Sequence, residues 1–199
     1  LHLCNKNMEN MDTNNNDGKA KHDLLLDVCM AAKFEGESLI NYHEQYDTTY
    51  PGSGSTFTMC TMLARSFADI GDVVRGKDLY RGNNKENKQR EKLENKLKEI
   101  FKEIHEGLSK NGAQTYYNDN GGNFFKLRED WWTANRETVW KALTCDEDKK
   151  LSNASYFHAT CSDGKSQYQT QNQCRCKDEN GKNADQVPTY FDYVPQYLR

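Results

Sequence analysis

Seven cysteines, Cys4, Cys29, Cys60, Cys145, Cys161, Cys174 and Cys176, are the side chains here with the widest chemical range. A zinc site needs two closely spaced ligand pairs so that four ligands converge on a tetrahedron. Only Cys174, Arg175 and Cys176 supply a close pair, and the spacing is wrong. Disulfides are the better reading, no metal or cofactor is expected, and the odd count leaves at least one cysteine without a partner inside the chain. Catalytic constellations fare no better. His43-Glu44 and His105-Glu106 have no second His in metalloprotease register. Gly164-Lys165-Ser166 resembles the end of a phosphate loop, but Ala159 stands where that loop needs glycine. The segment from Asp178 to Lys182 lacks the acidic spacing of a calcium loop. Glu129 and Asp130 are adjacent, so on a helix they point about 100° apart and do not converge on one substrate. Asn153-Ala154-Ser155 is a formal glycosylation sequon, a short pattern that arises often by chance. The residues therefore describe no enzyme.

One feature is suited to binding. Arg75, Lys77, Arg81, Lys85, Lys88, Arg90, Lys92, Lys96 and Lys98 form a basic run. Residues 81–110 carry 9 basic and 6 acidic side chains, a surplus in a chain whose net charge is -3. Lys85, Lys88, Arg90, Lys92 and Lys96 are the candidate contacts for a sulfated glycan, to which such a surplus is attracted. The competing reading is a solvated amphipathic helix laced with Glu/Lys pairs. The surplus is too local for nucleic acid, which calls for a strongly basic face.

The elements that would position these groups are helical. Leu24, Leu25, Val28, Cys29, Ala32, Leu39 and Ile40 recur at helical spacing behind Asp23, a natural N-cap, and Met11–His22 reads as a loop. A second helix is expected from about Thr56 to Val74, after the Tyr50–Ser55 loop and stopped by Gly76. Leu93, Leu97, Ile100, Phe101, Ile104 and Leu108 mark a third, from about Lys85 to Lys110. A fourth takes Phe124 to Leu143, with Phe125, Trp132, Val139, Trp140 and Leu143 as buried candidates. For Trp131, Trp132 and Trp140, size and apolar area favour a core role over ligand contact. Residues 146–186 read as a long loop that only cross-links would hold, and Pro195 suits the first turn of a helix running to Arg199. At 199 residues the chain can bury one sizeable core. Its 22 aromatic residues argue against disorder, and no apolar run approaches a membrane span. The opening Leu1-His2-Leu3-Cys4 reads as the middle of an element, so the chain is expected to be a piece of a longer protein.

The runs ARSFADIGDVVRG at Ala64–Gly76 and FFKLREDWWTANRETVWKALTC at Phe124–Cys145 resemble the Duffy-binding-like domains of malaria parasites. Together with LHLC at Leu1–Cys4, DLLLDVCMAAKFEG at Asp23–Gly36, CRC at Cys174–Cys176 and VPTYFDYVPQYLR at Val187–Arg199, they resemble most the alpha-type domain of the Plasmodium falciparum erythrocyte membrane protein 1 adhesins. The resemblance implies an all-α fold, a disulfide-braced helical bundle with long loops. It implies that residues 1–199 form a partial alpha-type domain lacking an upstream segment and a third subdomain. It further implies an adhesion module on the outer face of the infected erythrocyte, engaged in rosetting-type cytoadhesion and antigenic variation. Its expected partners are a host erythrocyte or endothelial surface receptor or a sulfated glycan, and antibodies, with no membrane insertion by this segment. An invasion ligand of the same superfamily is the alternative, against which the LHLC and VPTYFDYVPQYLR matches argue. The family ties the second and fourth helices together, which implies a Cys60–Cys145 disulfide. Cys4–Cys29 is a weaker pairing resting on nearness in sequence, and Cys161, Cys174 and Cys176 are expected to include cysteines whose partners lie outside the chain.

Overall fold

The computed structural model describes residues 7–11, 19–49, 59–108, 112–156, 158–170, 172–177, 180–181, 184 and 186–199. The Leu1–Cys4 motif and the Tyr50–Ser55 loop lie outside the described residues. The helices are α1 (Ala20–Thr49), α2 (Met59–Arg75), α3 (Asn84–Glu106), the single turn α4 (Ala113–Tyr116) and α5 (Phe125–Leu143). A two-residue antiparallel pair, β1 (Cys161–Ser162) with β2 (Gln167–Tyr168), is the sheet among the described residues.

Helix boundaries follow local chemistry. Gly76 ends α2 as expected: its φ of 72° permits the reversal, the Gly76 N–H donates to Val73 O and the Lys77 N–H to Asp72 O. Asn83 begins α3 through a reciprocal cap, its Oδ1 accepting from the Lys85 and Glu86 N–H groups while Glu86 accepts from the Asn83 N–H. That helix stops at Glu106, with Gly107 as its C-cap, earlier than the apolar spacing implied. Before α5, the Asp119 carboxylate accepts from the N–H groups of Gly121, Asn123 and Phe124 at 2.8, 3.0 and 2.6 Å. These bonds favour the charged form and hold the carboxyl below the usual aspartate range. Helix α1 is longer than expected at both ends. Asp23 lies inside its first turn, and its polar last turns are held by Lys150, whose Nζ donates to Asn41 and Glu44.

The three tryptophans occupy the core, as their size demands. Phe67 of α2 packs against Trp132 at 5.1 Å and edge-on to Trp140 at 5.2 Å, while Trp131 meets Phe101 of α3 edge-on at 6.1 Å. Rings of this size each remove roughly 150–250 Å² from water, worth ~4–6 kcal/mol as an upper figure. Two glycines permit the close helix contacts. A Cβ on Gly36 of α1 would lie 2.0 Å from the Leu143 carbonyl oxygen, and one on Gly71 of α2 would lie 2.8 Å from the Trp132 ring. Phe125, expected inside, is instead 50% exposed at the first residue of α5.

The segment after α5 is held by cross-links, as expected, but by different ones. Cys60 pairs with Cys174, and Cys161 with Cys176. The Cys60–Cys145 pairing is therefore corrected, and both Cys145 and Cys29 keep their thiols, so the Cys4–Cys29 bridge is not formed either; Cys4 lies outside the described residues. The physical reason is the path of residues 172–177. Gln173 and Cys174 both adopt φ of 52° between the bridged Asn172 and Arg175, a tight reversal that turns Cys174 inward toward the start of α2. There the Trp140 indole N–H donates to Cys174 O at 3.1 Å. Arg175 points the other way and donates to Lys141 O and to Thr144 O and Oγ1, satisfying the last carbonyls of α5. Cys145, just past that end, keeps its thiol, because Cys60 is taken by Cys174. In the chain-entropy picture the bridge closing a separation of 114 residues contributes about 5 kcal/mol, and the one closing 15 about 3 kcal/mol. The chain then ends in two 3-10 turns, Phe191–Tyr193 and Gln196–Leu198, the second following Pro195.

Candidate functional site

Charged residues of the resembled motifs are paired in the core. Asp192 is completely buried and accepts from three donors: the Trp132 indole N–H at 2.9 Å, Arg136 Nε at 2.9 Å and a second Arg136 nitrogen at 2.8 Å. Arg136 also donates to Thr189 O at 2.8 Å. Arg75 donates to Gly71 O at 2.9 Å, to Asp72 at 3.0 Å and to the main-chain oxygen of Asp192. Asp72 also accepts from Arg199, which reaches Asp69 at 3.2 Å as well. Arg128 is fully buried, its fork paired with Glu94 at 2.7 and 2.9 Å and its Nε donating to Val74 O at 2.6 Å. Charges buried this deeply must be paired, and apart from Arg75 with Asp72 inside α2 the ion pairs here join separate stretches of sequence. The network thus ties Ala64–Gly76, Phe124–Cys145 and Val187–Arg199 into one unit. Burial pushes the Asp69 and Asp72 carboxyls up from the usual aspartate range, against the pull of Arg199.

Sequence reasoning missed this network. A signal was present: Arg128, Trp132 and Arg136 are spaced four apart, so a buried Trp132 carries both arginines onto the same helix face. Glu129 and Asp130 diverge as expected: Glu129 meets Arg75 and Lys77, while Asp130 accepts from the Tyr117 hydroxyl at 2.8 Å. Among the described residues no three His, Cys, Asp or Glu side chains are grouped to hold a metal ion.

The outward-facing residues of α3 are the remaining candidates. With 3.6 residues per turn, Lys85, Lys88, Lys92 and Lys96 fall within an arc of about 80°, beside the buried stripe of Leu93, Leu97 and Ile100. Lys85, Lys88 and Lys92 are exposed, and among the described residues no carboxylate lies within ion-pair distance of them; Lys96 is half-buried and lies 3.6 Å from Glu99. Arg90 does not belong to this stripe. It points about 140° from Lys85, forms an ion pair with Asp78 and lies over the Tyr80 ring, 4.4 Å from its centre. Arg75 is buried, Lys77 is bound to Glu129, Arg81 precedes α3 and Lys98 points to another side, so four lysines of the basic run share one face of α3. At 1.5 Å per residue, Lys85 to Lys96 span about 16 Å along α3.

Among the described residues no helix is long and apolar enough to cross a membrane. Comparison with known proteins gives the assignment. A family model described as the Duffy binding domain matches residues 1–199. The crystal structure of the NTS-DBL1(alpha-1) domain of Plasmodium falciparum membrane protein 1 (PfEMP1), varO strain, is 38% identical with a TM-score of 0.71, over 99% of this chain and 40% of that one. The varO structure of the N-terminal NTS-DBL1-alpha and CIDR-gamma double domain gives the same identity and TM-score over 99% of this chain and 25% of that one. The PfEMP1 IT4var13 DBLbeta domain bound to ICAM-1 is 32% identical with a TM-score of 0.69, over 99% of this chain and 40% of that one. No match is found among curated proteins. The chain thus spans two-fifths or less of these structures. The matched family, the disulfide-held helical fold and the bonding among its motifs agree: the chain belongs to the Duffy-binding domain family.

Proposed function

We propose that this chain is part of an alpha-type adhesion domain that binds a host-cell surface receptor from the outer face of an infected erythrocyte. The observation that carries the reading is the 38% identity to a PfEMP1 DBL1-alpha domain along 99% of the chain. A PfEMP1 DBLbeta domain with the same core has been seen bound to ICAM-1, which supports a host surface receptor as the class of partner. The burial of motif charges in structural pairs supports a binding module over an enzyme. Within this reading, rosetting through a sulfated glycan engages Lys85, Lys88, Lys92 and Lys96, and exposed loops carry the variation that antibodies meet.

The test is retention on a heparin column beside binding of the chain and of the complete domain to a panel of host receptors and glycans. Lys88→Glu with Lys92→Glu is expected to remove retention at physiological salt while leaving the circular dichroism unchanged. Arg90 is left intact because its contacts with Asp78 and Tyr80 are structural. Unchanged retention would remove the lysine stripe from the function, and a complete domain that binds nothing on the panel would refute the adhesion reading.

A further inference from the structure

A cavity of about 320 Å³ opens between the end of α2, the linker that follows it, α3 and the start of α5. Its floor is apolar: Val73, Leu93 and Leu97. Two rings border it, Tyr80 from the linker and Phe125 from α5, and both are substantially exposed, 44% and 50%. The space is far larger than the roughly 30 Å³ of one water and falls in the size range of small ligand pockets. Covering two exposed rings and an apolar floor is favourable in itself.

The charges around the cavity leave a remainder. Asp78 is committed to Arg90 and accepts from Gln196 at 3.1 Å, and Glu94 is committed to the buried fork of Arg128 at 2.7 and 2.9 Å. Arg90 is held between Asp78 and the Tyr80 ring. That leaves Lys98, which lines the cavity half-buried and, among the described residues, has no carboxylate within ion-pair distance. The side-chain amide of Asn123, also at the cavity, makes no hydrogen bond among the described residues. Lys98 points about 120° from the centre of the lysine stripe, so this is a separate place on α3.

We propose that this cavity is a binding site for an apolar group that carries a carboxylate, supplied by an aromatic and an acidic residue side by side on a protein partner. The ring lies on the Val73, Leu93 and Leu97 floor between Tyr80 and Phe125, and the carboxylate accepts from the Lys98 ammonium and the Asn123 amide. Removal of one large side chain from water into a pocket beside a compensated charge is the anchor arrangement of protein interfaces. The carboxylate preference follows from the cavity alone; its origin on a receptor rests on the adhesion reading.

The experiment is titration of the isotope-labelled chain with 3-phenylpropionate, 3-phenylpropanol, 3-phenylpropylamine and the capped dipeptide acetyl-Phe-Asp-amide, read by amide shifts in α3 and at the start of α5. The acid, with about a dozen heavy atoms, is expected to saturate in the millimolar range, and the dipeptide at least as tightly. The alcohol should bind about 5–10-fold more weakly and the amine should not bind, consistent with one partly exposed ion pair in a pocket. Lys98→Gln should reduce acid binding to the level of the alcohol, Lys98→Arg should restore it, and Phe125→Ala should weaken acid and alcohol alike, with the circular dichroism unchanged. An amine that binds as well as the acid, or acid-induced shifts confined to Lys85–Lys92, overturns the site. Binding of the free acid without the dipeptide overturns the protein partner. Because the probes need no receptor, a failure of the adhesion reading leaves these outcomes intact.

Discussion

Removing the carboxylate of Asp192 is the sharpest test of what holds the recognised motifs together. In Asp192→Ala the Trp132 indole loses its acceptor and the Arg136 guanidinium loses both of its carboxylate bonds, leaving a largely buried cation without its counter-charge. Breaking a buried pair from one side costs about 3–5 kcal/mol, since the remaining charge keeps its desolvation cost. For a chain of this size each kcal/mol lowers Tm by about 2–4 °C, so the melting midpoint should fall by roughly 10 °C. Asp192→Asn retains an acceptor for Trp132 and should fall between wild type and Asp192→Ala. The double variant Asp192→Leu with Arg136→Met removes both charges together and should lose less stability than Asp192→Ala. Thermal melts by circular dichroism and calorimetry read all three. A fall of less than 2 °C in Asp192→Ala, or a double variant that loses as much as the two single changes combined, would refute the idea that this pair is what joins α5 to the C-terminal segment.

Other consequences are equally direct. Gly36→Ala places a methyl against the Leu143 carbonyl and should cost about 3 kcal/mol in chemical denaturation, because backbone must move to admit it. Non-reducing peptide mapping should recover Cys60 joined to Cys174 and Cys161 joined to Cys176, and loss of the longer bridge in Cys60→Ser with Cys174→Ser should lower stability by up to about 5 kcal/mol. Burial pushes the Cys29 thiol up to about 11, so its alkylation should be slow at pH 8 and accelerate about tenfold per pH unit while the fold persists. Asp119 is held low in the folded state, so its stabilisation is present above the usual aspartate value and lost as pH falls through the lower folded value. The Tm difference between wild type and Asp119→Ala should therefore be present at pH 7 and vanish in strong acid.

Much of the helical core could be read from spacing because apolar periodicity and packing agree there. Leu93, Leu97, Ile100, Phe101 and Ile104 are the buried face of α3, and Gly76 ends α2 through the conformation that only glycine takes without strain. Misreadings arose where a contact joins distant parts of the chain. The last turns of α1 are polar, and Lys150, more than a hundred residues on, supports them. Cys174 reaches Cys60 only because a reversal at Gln173 and Cys174 turns it inward, which no local pattern announces. The candidate glycan contacts divide for a similar reason. Charge and spacing assign Lys85, Lys88, Lys92 and Lys96 to one face, whereas the diversion of Arg90 to Asp78 depends on the path of the linker after α2. The partners of Arg128 and Arg136, Glu94 and Asp192, lie in other segments, so local spacing does not reveal the pairs.

The pairing of Arg136 with Asp192 and of Arg128 with Glu94 also bears on how such a chain can change over generations. In both pairs the counter-charge lies in another segment, so a segment inherited from a different parent is tolerated only if it brings the matching partner with it. Exchange of α3 imposes one such demand at position 94, together with its apolar face, and leaves its exposed lysine positions without a structural veto. Exchange of Val187–Arg199 imposes several at once, through Asp192 and Arg199. The fold thus sets an unequal toll on shuffling, light where α3 meets solvent and heavy where the chain closes on α2 and α5.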